Sequence, residues 1–308
     1  MLNKIIVTGS MNMDMVVKTD HIPKPGETVL GGTFFMNPGG KGANQSVAIA
    51  RLGAEVVFIG KIGDDIFGKQ SAQLFDEEGV DIGGIISDES SSSGIALITV
   101  DRQGENSIVV APGANAKLSP ADVSAAIKRY ANYKILLLQL EIPMETVACA
   151  LQTGKELGMK VILNPAPANK EVKNYFHLID IITPNEHEAE MLSGIKIENL
   201  DYAQAAARKL QEMGVKNVII TLGKSGAVVL ENDDFYHVPA PVVEAVDTTA
   251  AGDVFNGALA VALSEGKSLK EAAGFGCIAA SIAVTRMGAQ SSIPYRNEFI
   301  LEQMKKMK

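Results

Sequence analysis

The stretch from Asp247 to Asp253, DTTAAGD, places an acidic side chain among small residues at the start of a predicted helix. From Ala250 onward, apolar residues recur at helical spacing, which predicts a helix with one buried face. The backbone N–H groups of its first turn, from Ala250 to Asp253, lack partners within the helix. The small side chains of Ala250, Ala251 and Gly252 leave these N–H groups open to a ligand. The helix dipole adds partial positive charge, so the stretch predicts an anion site.

Asp253 lies at the edge of this predicted anion site. An anion hole beside a carboxylate suits phosphoryl transfer to a hydroxyl, because one part holds the moving phosphate and the other takes the proton. The alternative is that Asp253 is an ordinary acidic residue that stabilises a helix N-terminus. The stretch alone leaves both interpretations open.

The residues before the helix have a pattern of their own. Val242, Val243 and Val246 have the spacing of a β-strand leading into the stretch. Asp247, Thr248 and Thr249 are turn and cap residues. We therefore expect a strand, a tight turn and a helix in direct succession.

A glycine-rich stretch, Asn37–Asn44 (NPGGKGAN), predicts a close approach of the backbone to a ligand, and a helix that ends at Gly53 follows it. It is not a Walker A loop, because residue 35 is Phe35 rather than the required glycine. The Gly-Lys-Ser triplet at residues 223–225 fails in the same way, since residue 218 is Val218.

Two further polar pairs are candidates for ligand contacts. Asn12 and Asp14 alternate with Met13 and Met15, which places both polar side chains on one face of a strand where they could bind hydroxyls. The alternative is a half-exposed edge strand. Asn185 and Glu188 lie three residues apart at a helix start and so share a face, although a capping pair would have the same spacing.

From Glu55 onward, apolar strands alternate with helices, which predicts a parallel sheet covered by helices on both faces, the arrangement of a doubly wound α/β fold. The predicted strands share short apolar runs: Lys4–Val7, Val56–Ile59, Ile95–Val100, Ile108–Val110, Ile135–Leu140, Val161–Leu163, Ile179–Ile182, Val218–Thr221 and Ala227–Leu230. The predicted helices beyond the first are Ile66–Glu78, Pro120–Tyr130, Met144–Leu157, Glu188–Ser193, Tyr202–Met213, Leu269–Val284 and Tyr295–Met307. Thr28–Met36 predicts a further strand or hairpin.

Segments at about 13–36 and 94–110 do not fit the alternation and predict a small β-sheet, a lid, on a single domain spanning residues 1–308. Polar residues follow four successive strands: Glu141, Asn164, the run from Thr183 to Glu188, and the turn from Gly223 to Gly226. In open α/β sheets ligands bind at the carboxyl ends of the strands, so these residues predict one crevice with a nucleotide across it.

Composition excludes several functional classes. The 308 residues carry a net charge of −8, which argues against general nucleic-acid binding. Two cysteines provide no disulfide framework and four histidines show no zinc spacing. No run approaches the ~20 apolar residues of a membrane span, and the N-terminus has no signal-peptide pattern, so we expect a cytoplasmic protein without membrane contact. Gly274–Ala279 matches a dinucleotide pattern, but its helical context favours helix packing.

Together these stretches resemble the ribokinase-like carbohydrate kinase family over essentially the whole chain. Two signatures carry the resemblance, GGKGAN at Gly39–Asn44 and DTTAAGD at Asp247–Asp253. Shorter matches add to it in the expected order: Gln139–Glu141, Asn164–Pro167, Thr183–Glu186 and Thr221–Gly223. The resemblance implies transfer of the ATP γ-phosphate to the 5-hydroxyl of D-ribose, with Mg²⁺ and a monovalent cation, K⁺, as cofactors. It also implies a homodimer paired through the lid.

Residue by residue, the resemblance implies Asp253 as the base and Ala250, Ala251 and Gly252 as the anion hole. The implied sugar contacts are Asn12, Asp14, Gly40, Lys41, Asn44, Glu141 and Asp253. The implied ATP contacts are Asn185, Thr221, Gly223, Ser225, Gly226, Gly252 and Cys277, where Cys277 stands in place of a histidine found in some relatives. Asn185 and Glu188 would organise Mg²⁺ through waters. The implied monovalent-cation site consists of Asp247, Thr249, Ala283, Arg286, Gly288 and Ser292.

Three other functions remain open from the sequence. The first is a sibling kinase acting on 2-deoxyribose, another sugar or a nucleoside. The second is a nicotinamide-dependent oxidoreductase, which the missing strand–GxGxxG–helix unit disfavours. The third is a non-catalytic sugar sensor, which the presence of Asp253 disfavours.

Overall fold

The computed structural model describes residues 4–299 and consists of two β-sheets with helices around the larger one. The strands follow in chain order as β1 Ile5–Thr8, β2 Asn12–Lys18, β3 Thr33–Gly39, β4 Val56–Gly63, β5 Asp81–Asp88, β6 Gly94–Val100, β7 Asn106–Ala111, β8 Ile135–Leu138, β9 Lys160–Leu163, β10 Ile181–Ile182, β11 Asn217–Thr221, β12 Ala227–Glu231 and β13 Asp234–Val238. The α-helices are α1 Lys41–Arg51, α2 Ile66–Glu77, α3 Pro120–Arg129, α4 Met144–Glu156, α5 Glu186–Ser193, α6 Leu200–Glu212, α7 Ala251–Ser264 and α8 Leu269–Ala283.

The larger sheet has nine strands in the order β13-β12-β11-β10-β9-β8-β1-β4-β5. All neighbouring pairs from β11 to β5 are parallel, and β12 and β13 add an antiparallel edge. From β1 the chain first runs outward to β4 and β5 and later returns to β8 on the other side. The order therefore reverses between β1 and β8, and the crevice outside that point is where α/β sheets bind ligands.

Two apolar layers cover the two faces of this sheet. One contains buried side chains from α1, α2, α7 and α8, and the other contains buried side chains from α3, α4, α5 and α6. The central strands β1 and β8 are buried at every residue, as expected for strands covered on both sides. The predicted doubly wound α/β fold with helices on both faces is confirmed.

The smaller sheet has four strands in the order β3-β2-β6-β7. It corresponds to the predicted lid, although residues 19–32 between β2 and β3 form no strand. Strand β7 is exposed along its whole length. Strand β2 directly follows β1 in the chain, which places Asn12 and Asp14 beside the switch point of the larger sheet.

Several sequence predictions were wrong in detail. The strand expected at Thr28–Met36 begins only at Thr33 and continues to Gly39, so it includes the start of the glycine-rich stretch. The strand expected at Val242–Val246 is absent, and these residues lack regular structure. Their apolar spacing has another cause, because Val242 and Val243 line a cavity.

Strand boundaries also differ from the predictions. The strands expected to reach Leu140 and to start at Ile179 are β8 and β10, each two residues shorter at that end. Strands β5 and β13 were not predicted, because glycines or polar and charged residues interrupt their apolar side chains. The predicted helix Tyr295–Met307 lies for the most part outside the described residues. No helix within residues 4–299 has the length and apolar content needed to cross a bilayer.

Candidate active site

The candidate site lies at the carboxyl edge of the larger sheet, where three segments meet. Ser10 follows β1, Glu141 follows β8, and helix α1 begins at Lys41. The Ser10 hydroxyl and the Lys41 backbone N–H both donate to Glu141 Oε2, the latter at 3.1 Å. Glu141 therefore sits at the N-terminus of α1, where a carboxylate is favoured by the helix dipole.

Gly40 turns the chain from β3 into α1. Its φ of 90° lies in the left-handed region. A Cβ there would lie 2.9 Å from both the backbone nitrogen of Asn12 and the carbonyl oxygen of Ser10. Glycine is therefore required by both conformation and space, and this close approach brings the predicted sugar contacts on β2 and α1 together.

Asp253 is buried in the first turn of α7 and accepts two hydrogen bonds from α1. Asn44 Nδ2 donates to Oδ2 at 2.9 Å, and Gln45 Nε2 donates to Oδ1 at 3.0 Å. Helices α1 and α7 can approach this closely because residue 257 is a glycine, where a Cβ would lie 2.7 Å from the Ala48 Cβ. The predicted base and the predicted sugar ligand Asn44 are thus in direct contact.

Opposing influences act on the ionisation of Asp253. Burial raises the pKa of its carboxyl group, while Lys41 and the hydrogen bonds from Asn44 and Gln45 lower it, and the net shift is upward. A carboxylate with a raised pKa is a better proton acceptor than an exposed aspartate. Burial lowers the pKa of Lys41, but Asp253, Glu141 and Glu188 raise it by more, so Lys41 stays charged.

Asn12 and Asp14 lie on one face of β2, as predicted. Asn115, in a short 3-10 turn at Gly113–Lys117, donates from Nδ2 to Asn12 Oδ1 at 2.8 Å. This leaves the Asn12 amide N–H groups for another partner. Burial, Glu141 and Asp253 raise the pKa of Asp14 to about 6, against the opposing effect of Lys41.

A cavity of about 190 Å³ opens at the N-terminus of α7. Its lining includes Lys41, Glu188, Asp253 and all three predicted anion-hole residues, Ala250, Ala251 and Gly252. Ala250 is the N-cap rather than part of the helix, and its φ is 61°. No side chain of the described residues caps the helix, and space is open where a Gly252 side chain would begin. The Ala251 N–H donates to the Thr248 carbonyl at 3.2 Å, so the N–H groups of Gly252 and Asp253 are the first-turn donors left for an anion in the cavity.

A second cavity of about 700 Å³ adjoins the first and shares Asn185, Thr221 and Gly252 with it. Gly223, Gly226 and Cys277, three further predicted ATP contacts, also line it, whereas Ser225 lines a neighbouring cavity. Its apolar wall comes from Val242, Val243, Phe255, Ala280 and Val284. Burial raises the pKa of the Cys277 thiol to about 12, so Cys277 contributes an apolar surface rather than a thiolate.

Asn185 and Glu188 form a capping box at the start of α5, so the alternative noted for this pair is what the structure shows. Glu188 Oε2 accepts from the Asn185 backbone N–H at 2.9 Å. Glu188 also lines the smaller cavity, and burial raises the pKa of its carboxyl group.

No cluster of three or more His, Cys, Asp or Glu side chains within residues 4–299 is arranged to hold a metal ion. Glu188, a carboxylate beside an anion cavity, fits Mg²⁺ that keeps most of its waters.

Asp247 joins two segments next to the start of α7. Its Oδ1 accepts from the Thr249 N–H and hydroxyl, and its Oδ2 accepts from the Gly288 N–H at 2.9 Å. Burial raises the pKa of Asp247, but the bonds to Thr249 and Gly288 lower it by more, so the carboxylate is ionised. Ala283 and Arg286 lie in the adjoining turn, where the Arg286 N–H donates to the Ala283 carbonyl. The Ser292 hydroxyl donates instead to the Ala289 carbonyl. Carboxylate and carbonyl oxygens of this kind are the ligand types that K⁺ takes in proteins.

A group of buried polar residues lies behind Asp253 and was not predicted from the sequence. Gln45 contacts Asp253 directly, and Asn256 on α7 accepts from Thr183 at 2.6 Å. Gln139 was part of a quoted motif, and Asn164 and Thr183 were predicted only to lie at the crevice, without a contact to Asp253 or to Gln45. A weak signal was present, because Gln45 directly follows Asn44 and Asn256 lies three residues after Asp253.

Comparison with known proteins gives a consistent result. Residues 2–296 match the pfkB family of carbohydrate kinases. The chain is 46% identical to a ribokinase of Haemophilus influenzae, with 97% of each chain covered. It is 39% identical to a deoxyribokinase of Salmonella typhimurium, covering 96% of this chain and 97% of the relative. The structure of Arabidopsis thaliana ribokinase complexed with ribose and ATP is 34% identical, with a TM-score of 0.90 and 98% of each chain covered.

Proposed function

Because the chain belongs to the pfkB family of carbohydrate kinases, we propose that it transfers the γ-phosphate of ATP to the 5-hydroxyl of D-ribose. The products are D-ribose 5-phosphate and ADP. The observation that carries this proposal is the position of Asp253, which lies between a cavity at a helix N-terminus and a group of polar side chains suited to a sugar. An anion site and a base therefore face the same space.

The sugar side presents unsatisfied polar atoms that match hydroxyl groups. Asn44 Oδ1 is buried and lacks a hydrogen-bond partner among the described residues. A buried acceptor without a partner costs about 1–3 kcal/mol. A ribose hydroxyl would supply the missing donor. Asn12 offers amide donors because its oxygen is held by Asn115, and Asp14 offers acceptors.

The reaction we propose is an in-line displacement at the γ-phosphorus. The ribose O5 attacks the phosphorus, and its proton passes to the Asp253 carboxylate. The bond between the γ-phosphorus and the β–γ bridging oxygen breaks, and ADP leaves with the electron pair. The N–H groups of Gly252 and Asp253 and the Lys41 ammonium would stabilise the negative charge on the moving phosphoryl group.

The larger cavity is the proposed ATP site, because its apolar wall suits an adenine ring and its far end meets the anion site. Asn185, Thr221, Gly223, Gly226 and Gly252 would contact the nucleotide, with Ser225 at its edge and Cys277 against the base. Mg²⁺, when bound, would neutralise phosphate charge, and Asn185 and Glu188 would hold it through waters.

We also propose K⁺ at the segment joined by Asp247. Thr249, Ala283, Arg286, Gly288 and Ser292 would complete that site, largely through backbone carbonyl groups. Asp247 is linked through Thr249 to the turn that precedes α7, so a cation there would hold the first-turn N–H groups in position.

Pairing of two chains through the smaller sheet is a further part of the proposal. Phe34, Leu97, Ile108, Val109 and Val110 each expose half or more of their surface there. Leu97 and Val109 are paired and share one face of this sheet with Phe34, whereas Ile108 and Val110 lie on the other face. An exposed apolar face of this kind marks an interaction surface. Light scattering should give twice the mass of one chain for the wild type and one chain's mass for Val109→Asp.

Because the reaction consumes ATP, we place it in the cytoplasm.

A kinase for 2-deoxyribose is the second candidate, and the similarity to a Salmonella typhimurium deoxyribokinase favours it. ADP release should be measured with Mg²⁺ and K⁺ against D-ribose, 2-deoxy-D-ribose, other free sugars and adenosine. The proposal predicts the highest kcat/KM for D-ribose. Preference for 2-deoxyribose or adenosine would replace it, and ATP turnover independent of any acceptor would contradict it.

A further inference from the structure

We propose that Gln45 is a positioning residue that fixes the rotation of the Asp253 carboxylate, and that Gln139 and Asn164 in turn hold Gln45. The inference rests on the proposed function, because it assigns a role to a residue that touches the base and not the substrate. It concerns a buried row of amides behind Asp253.

The row is continuous and runs through α1. Gln45 Nε2 donates to Asp253 Oδ1 at 3.0 Å and to Asn164 Oδ1 at 3.1 Å. Gln139 Nε2 donates to Gln45 Oε1 at 2.6 Å. Gln45 and Gln139 are fully buried, and Asn164 is nearly so. Both donor positions and the acceptor of the Gln45 amide are therefore engaged.

The polarity of the row allows only one orientation of the Gln45 amide. If the amide rotated by half a turn, its oxygen would face the acceptors Asp253 Oδ1 and Asn164 Oδ1, and its nitrogen would face the Gln139 nitrogen. Rotating Gln139 as well would restore the hydrogen bond between Gln139 and Gln45, but it would leave the Gln45 oxygen against Asp253, because an ionised carboxylate has no hydrogen to donate. A buried acceptor left unsatisfied is costly, which indicates that the direction of this row is maintained for the sake of Asp253.

Packing fixes the distance as well as the orientation. A Cβ at residue 257 on α7 would lie 2.9 Å from the Gln45 carbonyl oxygen. Glycine at this position lets α1 lie close enough for Gln45 to reach Asp253. Any larger residue would separate the two helices and lengthen that hydrogen bond.

The row makes the two carboxylate oxygens of Asp253 unequal. Oδ1 is held from behind by Gln45, which has no role in the proposed sugar contacts. Oδ2 is held by Asn44, which does. Oδ2 is therefore the oxygen that takes the hydroxyl proton. Four charged groups also act on Asp253: Lys41 favours its ionised form, whereas Glu141, Asp14 and Glu188 oppose it.

The test compares two variants, Gln45→Met and Thr146→Val. Thr146 Oγ1 is buried away from the site and donates to the Leu118 carbonyl. Thr146→Val therefore removes one buried side-chain donor without touching Asp253 and serves as the matched control. For Gln45→Met we expect kcat to fall about 10- to 100-fold, the loss of a hydrogen bond to a charged group. The ribose KM should stay within about threefold, since uniform binding is not removed. The acid limb of the kcat–pH profile should move to higher pH, because the ionised base loses a donor. Thr146→Val should keep both kcat and the profile.

Gln139→Met keeps the proposal testable if Gln45→Met does not fold. Gln139 does not touch Asp253, yet its loss frees the Gln45 amide, so kcat should fall and the acid limb should move in the same direction. An unchanged kcat or an unchanged pH profile in the folded variant overturns the inference. A wild type without sugar-dependent ADP release overturns the proposed function instead, so the two failures are distinguishable.

Discussion

The two halves of the candidate site are built in different ways. On the sugar side, side chains from distant parts of the chain hold one another: Asn44 and Gln45 bind Asp253, and Ser10 binds Glu141. On the nucleotide side, the segment before α7 has no regular structure, and Val242 is fully exposed. The first half is arranged before any ligand binds, whereas the second presents apolar surface that only a ligand would cover.

The difference has an energetic consequence. Asn12, Asn44 and Asp253 on the sugar side are buried, so leaving one of them unpaired costs about 1–3 kcal/mol, and more for a charge. An exposed valine on the nucleotide side contributes to the binding free energy only through the apolar area that it buries against a ligand, at about 25 cal/mol per Å². Substitutions on the sugar side should therefore change turnover or selectivity strongly, and those on the nucleotide side should change only the KM for ATP.

Asp253→Asn should have the largest effect. The amide keeps the shape of the side chain but cannot accept the proton, so kcat should fall by about 10²–10⁴-fold, the usual contribution of a general base. Ribose binding, measured by calorimetry with the same variant, should be largely retained. Turnover close to that of the wild type would remove Asp253 from the role of base.

Asp14→Ala tests how the sugar side recognises hydroxyl groups. The wild type should prefer D-ribose over 2-deoxy-D-ribose by roughly tenfold or more in kcat/KM, because a missing hydroxyl leaves a buried group unpaired. The variant should lose efficiency with ribose and narrow this gap. Steady-state rates of both sugars on both proteins decide the matter, and unchanged rates in Asp14→Ala would refute the assignment.

The same carboxyl group predicts a pH dependence. Burial, Glu141 and Asp253 raise the pKa of Asp14 to about 6. As pH falls through this value, Asp14 gains a proton and loses an acceptor, so kcat/KM for ribose should fall below about pH 6 and level off above it. Asp14→Asn should lack this limb. The range from pH 5 to pH 8 runs from about one unit below that pKa to about two units above it. A wild-type kcat/KM that stays constant over this range would contradict the assignment.

Asp247→Ala tests the link between the two halves. We expect K⁺ to raise kcat severalfold in the wild type, because the cation would hold the turn that precedes α7. The variant should lose this response while still turning over. Equal wild-type rates in K⁺ and in a large organic cation would rule out the cation site.

Val243→Ser should have the smallest effect. Removing an apolar contact worth roughly 1 kcal/mol should raise the KM for ATP by about three- to fivefold. The kcat and the ribose KM should not change. Ile66→Ser, which alters an exposed residue on α2 outside the cavity, is the matched control. A change in the ribose KM for Val243→Ser would show that the two halves are not separable.

The two halves also differed in how far the sequence could predict them. The alternation of strands and helices predicted the doubly wound fold, because buried parallel strands need apolar runs. The small residues before Asp253 predicted the helix N-terminus with its cavity. These features are encoded locally, in spacing and in small side chains.

The remaining features depend on contacts between distant residues. Gln45 and Asp253 are 208 residues apart in the chain, and no local pattern connects them. The prediction of a strand at Val242–Val246 was wrong, because β-branched residues are frequent in strands but Val242 and Val243 here line a cavity. Strand β5 was missed because its glycines weaken the β pattern.

The central claim is that Asp253 faces the primary hydroxyl of a bound ribose while the phosphate lies at the start of α7. The most direct measurement is the position of the phosphate in the product, read from carbon–phosphorus coupling in the NMR spectrum of ¹³C-labelled ribose after reaction with ATP. We predict phosphorus coupling to C5 and C4, which identifies ribose 5-phosphate. Coupling to C1 or to another secondary carbon, or release of inorganic phosphate alone, would contradict the account.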